Sequence, residues 1–264
     1  MSVSTLGAME IKTDEIFENL PRAPIVEAVI EIRARATKTL EESSLRSALE
    51  PRLAGYTFLD SLREFHGEVK IEGGKPPTQK VSELGWKGVR YRSSDGKHIA
   101  QFNRDAFVFS RLEPYVTWDQ LFDESQRLWA IFREVAQPVD IQRIGLRYIN
   151  RIKLPPGEVR FEDFIQPAPS NPRELDLPFD SFMHYDTLAV PDYPFAINVI
   201  RTVQRPSGAG DARVALILDI DVFTTQGFDV DDGFFGQRLL EMRWLKNKVF
   251  FGSITEKALE MFRC

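Results

Sequence analysis

Apolar and polar positions alternate with period two from residue 23 to residue 36. Val26, Ala28, Ile30, Ile32 and Ala34 interleave with Glu27, Val29, Glu31, Arg33 and Arg35. One face must then be buried and the other polar, which predicts a strand. The pattern returns at residues 141–152, with Ile144, Leu146, Tyr148 and Ile152 on one face and Arg143, Arg147 and Arg151 on the other. Between the two, residues 39–54 predict a helix, with Thr39 as N-cap and Gly55 as its stop. Residues 56–72 read as extended, ending at Gly73-Gly74. Ser94-Asp95-Gly96-Lys97 turns a hairpin between 88–92 and 97–103, and 106–112 continues it. Thr117 caps a helix over 118–136, whose Leu121, Phe122, Ser125, Leu128, Trp129 and Phe132 form one apolar stripe ended by Pro138. Residues 155–178 are loop-rich, with a short helix near 160–165. Strands follow at 182–190, 195–204 and 214–223, the last hairpin turning at Pro206-Ser207-Gly208-Ala209-Gly210. Asp231 or Asp232 then caps a long helix running towards Phe262.

Strand, helix, three strands, long helix: the order occurs twice. Laying Ile25–Ile32 over Ile141–Tyr148 superimposes the apolar positions and sets Glu27 and Glu31 over Arg143 and Arg147. The expected fold is therefore α+β, a duplicated βαβββα unit forming one curved antiparallel sheet with the long helices on one face. At the level of topology this resembles TATA-binding-protein-like and helix-grip folds. Residues 1–20 would be a loosely held N-terminal arm, 21–138 the first half and 139–264 the second, packed as one unit. If the opening strands pair antiparallel about a pseudo-twofold axis, paired positions share one index sum. Glu27 would then approach Arg147, and Glu31 would approach Arg143.

The composition is that of an ordinary globular chain, 43% hydrophobic and 28% charged over 264 residues, with 20 phenylalanines for an aromatic-rich core. A net charge of −5 and a pI near 5.4 argue against broad nucleic-acid binding. Cys264 is the only cysteine, so no intrachain disulfide is expected, which fits a reducing, cytoplasmic compartment. No signal peptide and no membrane span are expected.

Candidate chemistry concentrates on the polar sheet face. By strand parity Glu27, Glu31, Arg33, Arg35, Arg143, Arg147 and Arg151 share it. Asp219 and Asp221 join them, because they alternate with Leu218, Ile220 and Val222. Guanidinium forks among carboxylates could bind a phosphate, a peptide or a nucleic-acid backbone; the same pattern also makes a self-satisfied ion-pair ladder on a solvated sheet. Asn150 lies on the apolar parity and must find a buried partner. Asp229-Val230-Asp231-Asp232-Gly233 lacks the ligand spacing of a calcium loop and reads as a helix cap. His66, His98 and His184 are scattered, and parity separates Tyr185 from His184 and Asp186, so no catalytic set emerges. Gly73-Gly74-Lys75 and Ser207-Gly208-Ala209-Gly210 match no phosphate-binding loop. A helix-grip arrangement would leave room for a small ligand between helix and sheet. Phe234-Phe235 and Phe250-Phe251 cannot all point inward, so some cover the other half or a partner chain.

Pro24-Ile25-Val26-Glu27-Ala28, Arg143-Ile144-Gly145-Leu146-Arg147-Tyr148-Ile149-Asn150-Arg151, Leu218-Asp219-Ile220-Asp221-Val222 and the stretch from Phe250 to Ile254-Thr255 stand in one order along the chain. In these blocks the sequence resembles a sporadically distributed family of uncharacterised bacterial proteins. The resemblance implies a bacterial origin, no known cofactor, and a patchy distribution of the kind met at defence or toxin–antitoxin loci. It also implies a histidine in the final helix where this chain has Arg243, so chemistry needing that histidine would be absent. The functional expectation is a non-enzymatic binding protein that engages a protein partner through the sheet face or the helix aromatics, with a homodimer open and no cofactor. A helix-grip ligand binder or enzyme and nucleic-acid binding on the concave face are the alternatives.

Overall fold

The computed structural model describes residues 9–70, 76, 78–157, 160–172, 174, 177, 179–205, 213–230 and 235–263. The glycine turns at 73–74 and 206–210, the Asp231/Asp232 cap, Phe234 and Cys264 lie outside the described residues.

The chain is α+β, with one large antiparallel sheet and, among the described residues, four α-helices. Its elements in chain order are β1 (Ile25–Ala36), α1 (Glu42–Leu49), β2 (Tyr56–Lys70), β3 (Thr78–Ser93), β4 (His98–Asn103), β5 (Ala106–Leu112), α2 (Trp118–Ala136) and β6 (Pro138–Lys153). There follow β7 (Met183–Ala189), β8 (Phe195–Gln204), β9 (Ala215–Thr224), the two-residue β10 (Phe228–Asp229), α3 (Phe235–Ser253) and α4 (Glu256–Arg263). Across the sheet the order is β2-β3-β4-β5-β1-β6-β9-β8-β7, with β10 beside β6.

Helix lengths depart from expectation in three places. The helix expected over 39–54 is the eight-residue α1 followed by a 3-10 turn, Glu50–Arg52, containing Pro51. Proline has no N–H to continue the α-helical ladder. The short helix expected near 160–165 is a single 3-10 turn, Phe161–Asp163. The long terminal helix is interrupted after Ser253. Ile254 bridges to Ile165, and Thr255 Oγ1 accepts the Ala258 amide to start α4.

β1 and β6 are neighbours and antiparallel, as expected for the two opening strands, but the pairing is displaced. Val29 faces Arg147, Glu31 faces Gly145 and Arg33 faces Arg143. That is two residues from the expected register, and a two-residue shift leaves every side chain on its own face. Face assignments read from parity therefore survive, and Arg143 still meets Glu31, whereas Arg147 is carried away from Glu27.

The face carrying Ala28, Ile30, Ile32, Ile144, Leu146, Tyr148, Leu218 and Ile220 is fully buried. Against it α2 lays Trp129 and Phe132, whose rings meet Phe102 and Phe107 of β4 and β5. Phe235 of α3 stacks on Trp129, which joins the two 19-residue helices. All four α-helices contribute buried residues to this core. Among the described residues no helix is long and apolar enough to cross a membrane.

Candidate functional site

On the open face the expected charged residues come together, and they mostly satisfy one another. Arg143 reaches Glu31 on one neighbouring strand and Asp221, at 2.9 Å, on the other. It lies across Gly145, whose missing side chain leaves room for the guanidinium. Arg147, displaced from Glu27 by the register, instead chelates Asp219, with Nε 2.8 Å from Oδ1. Glu27 faces Leu112 and Ile149. Arg33 bonds Glu31 at 3.1 Å, Arg35 bonds Asp140 at 2.6 Å, and Arg151 lies 3.5 Å from Glu113. The hydrogen bonds to Asp219 hold the Arg147 guanidinium above its usual pKa. Burial pushes the Asp221 carboxyl up, against the opposing pull of Arg143 and Arg147. The arrangement is an ion-pair ladder spanning β1, β6 and β9.

Other sequence candidates are also occupied. Asn150 is buried and donates from Nδ2 to the Leu218 carbonyl at 3.0 Å. Asp186 is engaged by Arg201. His98 stacks on Phe109, and its ring nitrogen meets Arg111 at 2.9 Å; burial and that arginine lower its pKa. No group of three His, Cys, Asp or Glu side chains among the described residues could hold a metal ion.

A second site has formed on the helix side. α3 lies between the sheet and residues 9–24, which run along it as a strap. Glu15 accepts from Trp244 Nε1 and from Lys248, both at 2.7 Å. Phe17 stacks on Phe251 at 5.6 Å, and Glu18 pairs with Arg263 at 2.6 Å. The half-buried Glu15 carboxyl is held below its usual range, first by Lys248 and then by Trp244. Phe235 and Phe251 thus cover the other half and the strap.

Strap, α3, β6 and the segment joining β5 to α2 line a cavity of about 780 Å³ that is partly open to solvent. Its floor includes Tyr148 and Asn150, and its helix wall carries Arg243 and Lys246. The Lys246 ammonium stands over the Tyr148 ring, 4.0 Å from the centroid, and Arg243 lies over Trp118 at 5.4 Å. Tyr115 and Tyr148 join hydroxyl to hydroxyl at 3.1 Å. Burial raises both phenols, so both stay protonated at neutral pH. Lys246 is driven the other way, down to about 7, by burial first and then by the Arg243 charge. Among the described residues neither cation has a carboxylate partner. Asp14, Glu18 and Asp119 line the cavity from exposed positions, and Glu15 and Glu18 are already paired.

Parity and motif reasoning passed over Lys246, although a signal was present. Leu239, Met242, Phe250 and Ser253 form the buried stripe of α3. Position 246 falls on that stripe, four residues after Met242 and four before Phe250. Lys246 is half-buried there, and a lysine in register with buried apolar residues of a helix is the exception to look for.

No protein-family model matches the chain, and no curated protein matches it.

Proposed function

We propose that this protein binds a small organic anion, a carboxylate or a phosphate, in the cavity between α3, β6 and the N-terminal strap. The observation that carries the reading is the pair Arg243 and Lys246, three residues apart on α3, lining a cavity with no carboxylate partner for either. Both cations are half-buried; a cation partly removed from water and left unpaired is unfavourable, and an anionic ligand would offset that penalty. The size of the cavity suits a metabolite-sized molecule. By contrast, Arg143 and Arg147 already spend their donors on Glu31, Asp219 and Asp221, which leaves the sheet face less to offer a partner.

The finer architecture supports the same reading. We take the sheet as a duplication about the β1/β6 pair, β3-β4-β5-β1 being matched by β7-β8-β9-β6. In a helix-grip arrangement of this kind, the space between sheet and helix is where a ligand belongs.

The test is calorimetry and thermal unfolding with phosphate, a sugar phosphate, lactate and glutarate. At least one should stabilise the protein, and Arg243→Gln or Lys246→Met should weaken its binding by about tenfold to a hundredfold, the value of one charged hydrogen bond. A folded protein indifferent to all four would remove the reading.

A further inference from the structure

The cavity contains more than charge. Lys246 is an amine over the ring of Tyr148, whose hydroxyl pairs with that of Tyr115 in the same cavity, and Arg243 is a separate cation one helical turn away. A site built only to neutralise an anion would be served by two arginines, which never release a proton. A lysine in the same place can lose its proton and become a nucleophile.

We propose that Lys246 condenses with the carbonyl group of a small oxo acid, whose carboxylate is held by Arg243. The inference rests on the anion-binding reading and names its substrate class. The neutral amine adds its lone pair to the carbonyl carbon, forming a C–N bond as the C=O π pair moves to oxygen; nitrogen then gives up one proton and the oxygen gains one, giving a carbinolamine. That hydroxyl then leaves as water, taking a second proton, and the nitrogen lone pair completes the C=N bond. The second amine proton is lost, so amine plus carbonyl gives imine plus one water, with no oxidant or reductant.

Three features of the site serve this chemistry. The Lys246 nitrogen stands 4.0 Å from the centroid of the Tyr148 ring, and the Tyr115–Tyr148 pair keeps its protons, so it can donate to the departing oxygen. Burial and Arg243 oppose the charged form of the amine, which keeps a large share of it nucleophilic near neutral pH. The groups facing Lys246 are Tyr148 from β6, Arg243 on its own helix and Tyr115 with Asp119 from the β5–α2 side. The strap adds Asp14, Glu15 and Glu18. Of their charges only Arg243 perturbs the amine.

The full chain is incubated at pH 7.5 with pyruvate, acetoacetate or 2-oxoglutarate, reduced with borohydride, and mapped by peptide mass spectrometry. Calorimetry with lactate, which has no carbonyl, is run alongside. The expected result is one adduct per chain at Lys246, enriched on the order of a hundredfold over solvent-exposed lysines, as its lower proton affinity dictates. Arg243→Gln should reduce labelling by the acids by more than it reduces labelling by acetone, because acetone loses only the help of Arg243 in keeping the amine neutral whereas the acids also lose their carboxylate partner. Lys246→Arg should abolish both, and circular dichroism checks that it folds; site mapping in the unsubstituted chain does not depend on either variant. Lactate binding with no adduct at Lys246 overturns the inference and leaves the anion site standing. Neither binding nor adduct overturns both, and an adduct spread evenly over surface lysines overturns the inference.

Discussion

Gly145 stands opposite Glu31 in the central strand pair, and a Cβ there would lie 2.5 Å from Arg143 Nη1. The glycine lets one arginine serve two strands. Arg143 is only 20% exposed, and Glu31 and Asp221 are 23% and 21% exposed. Arg143→Met would leave both carboxylates half-buried without it, at a cost of about 1–3 kcal/mol. Its pH dependence has a definite sign. Asp221 already has a raised pKa because of burial, and losing Arg143 raises it further. The folded variant then holds a proton that the unfolded chain has released, so its stability falls as pH rises from the ordinary aspartate value through the raised one. Urea unfolding at pH 4 and pH 7 should show the larger loss at pH 7. Gly145→Ala should cost less, because the guanidinium can move aside. These partners were only half legible in the sequence. Parity put Glu31, Arg143 and Asp221 on one face and Arg143 meets Glu31 as expected, but a two-residue register shift is invisible to parity and sends Arg147 to Asp219 in place of Glu27.

Among the elements, α3 is unusual in having protein on two sides. Leu239 and Met242 meet the sheet side, whereas Trp244, Lys248 and Phe251 meet the strap. Such a helix shows no single apolar stripe, so an aromatic excess read from sequence suggested a partner chain, where the structure supplies residues 9–24. The loosely held arm expected at the start is, from residue 9 onward, tied down at Ile11, Glu15, Phe17, Glu18 and Arg22. Because the strap also walls the cavity, its hold on α3 should govern access. Glu15→Gln weakens both of its contacts to α3. Hydrogen exchange at the Ile11 and Arg22 amides should quicken several-fold while the β1 and β6 amides are unchanged. Equal exchange in both proteins would mean that Glu15 does not hold the strap.

For the whole molecule, the order of strands and the sheltered face followed from period-two alternation, because a half-buried antiparallel sheet writes its two faces into the sequence. The cavity did not, since it arises where strap, helix and sheet meet, and those contacts join residues more than two hundred positions apart. Its consequence is nevertheless a property of the whole fold. Lys246 has a folded pKa of about 7, lowered by burial and Arg243, against about 10.4 in an unfolded chain. Below pH 7 the amine is charged in both states and its burial opposes folding. Between pH 7 and about 10.4 the unfolded chain binds the extra proton, so stability rises with pH. The most direct test of an uncompensated cation in the cavity is urea unfolding of the unsubstituted protein and Lys246→Met from pH 6 to pH 10. The account predicts that the variant is the more stable by a few kcal/mol at pH 6 and that the difference closes towards pH 10. Two curves that run parallel across that range would contradict it.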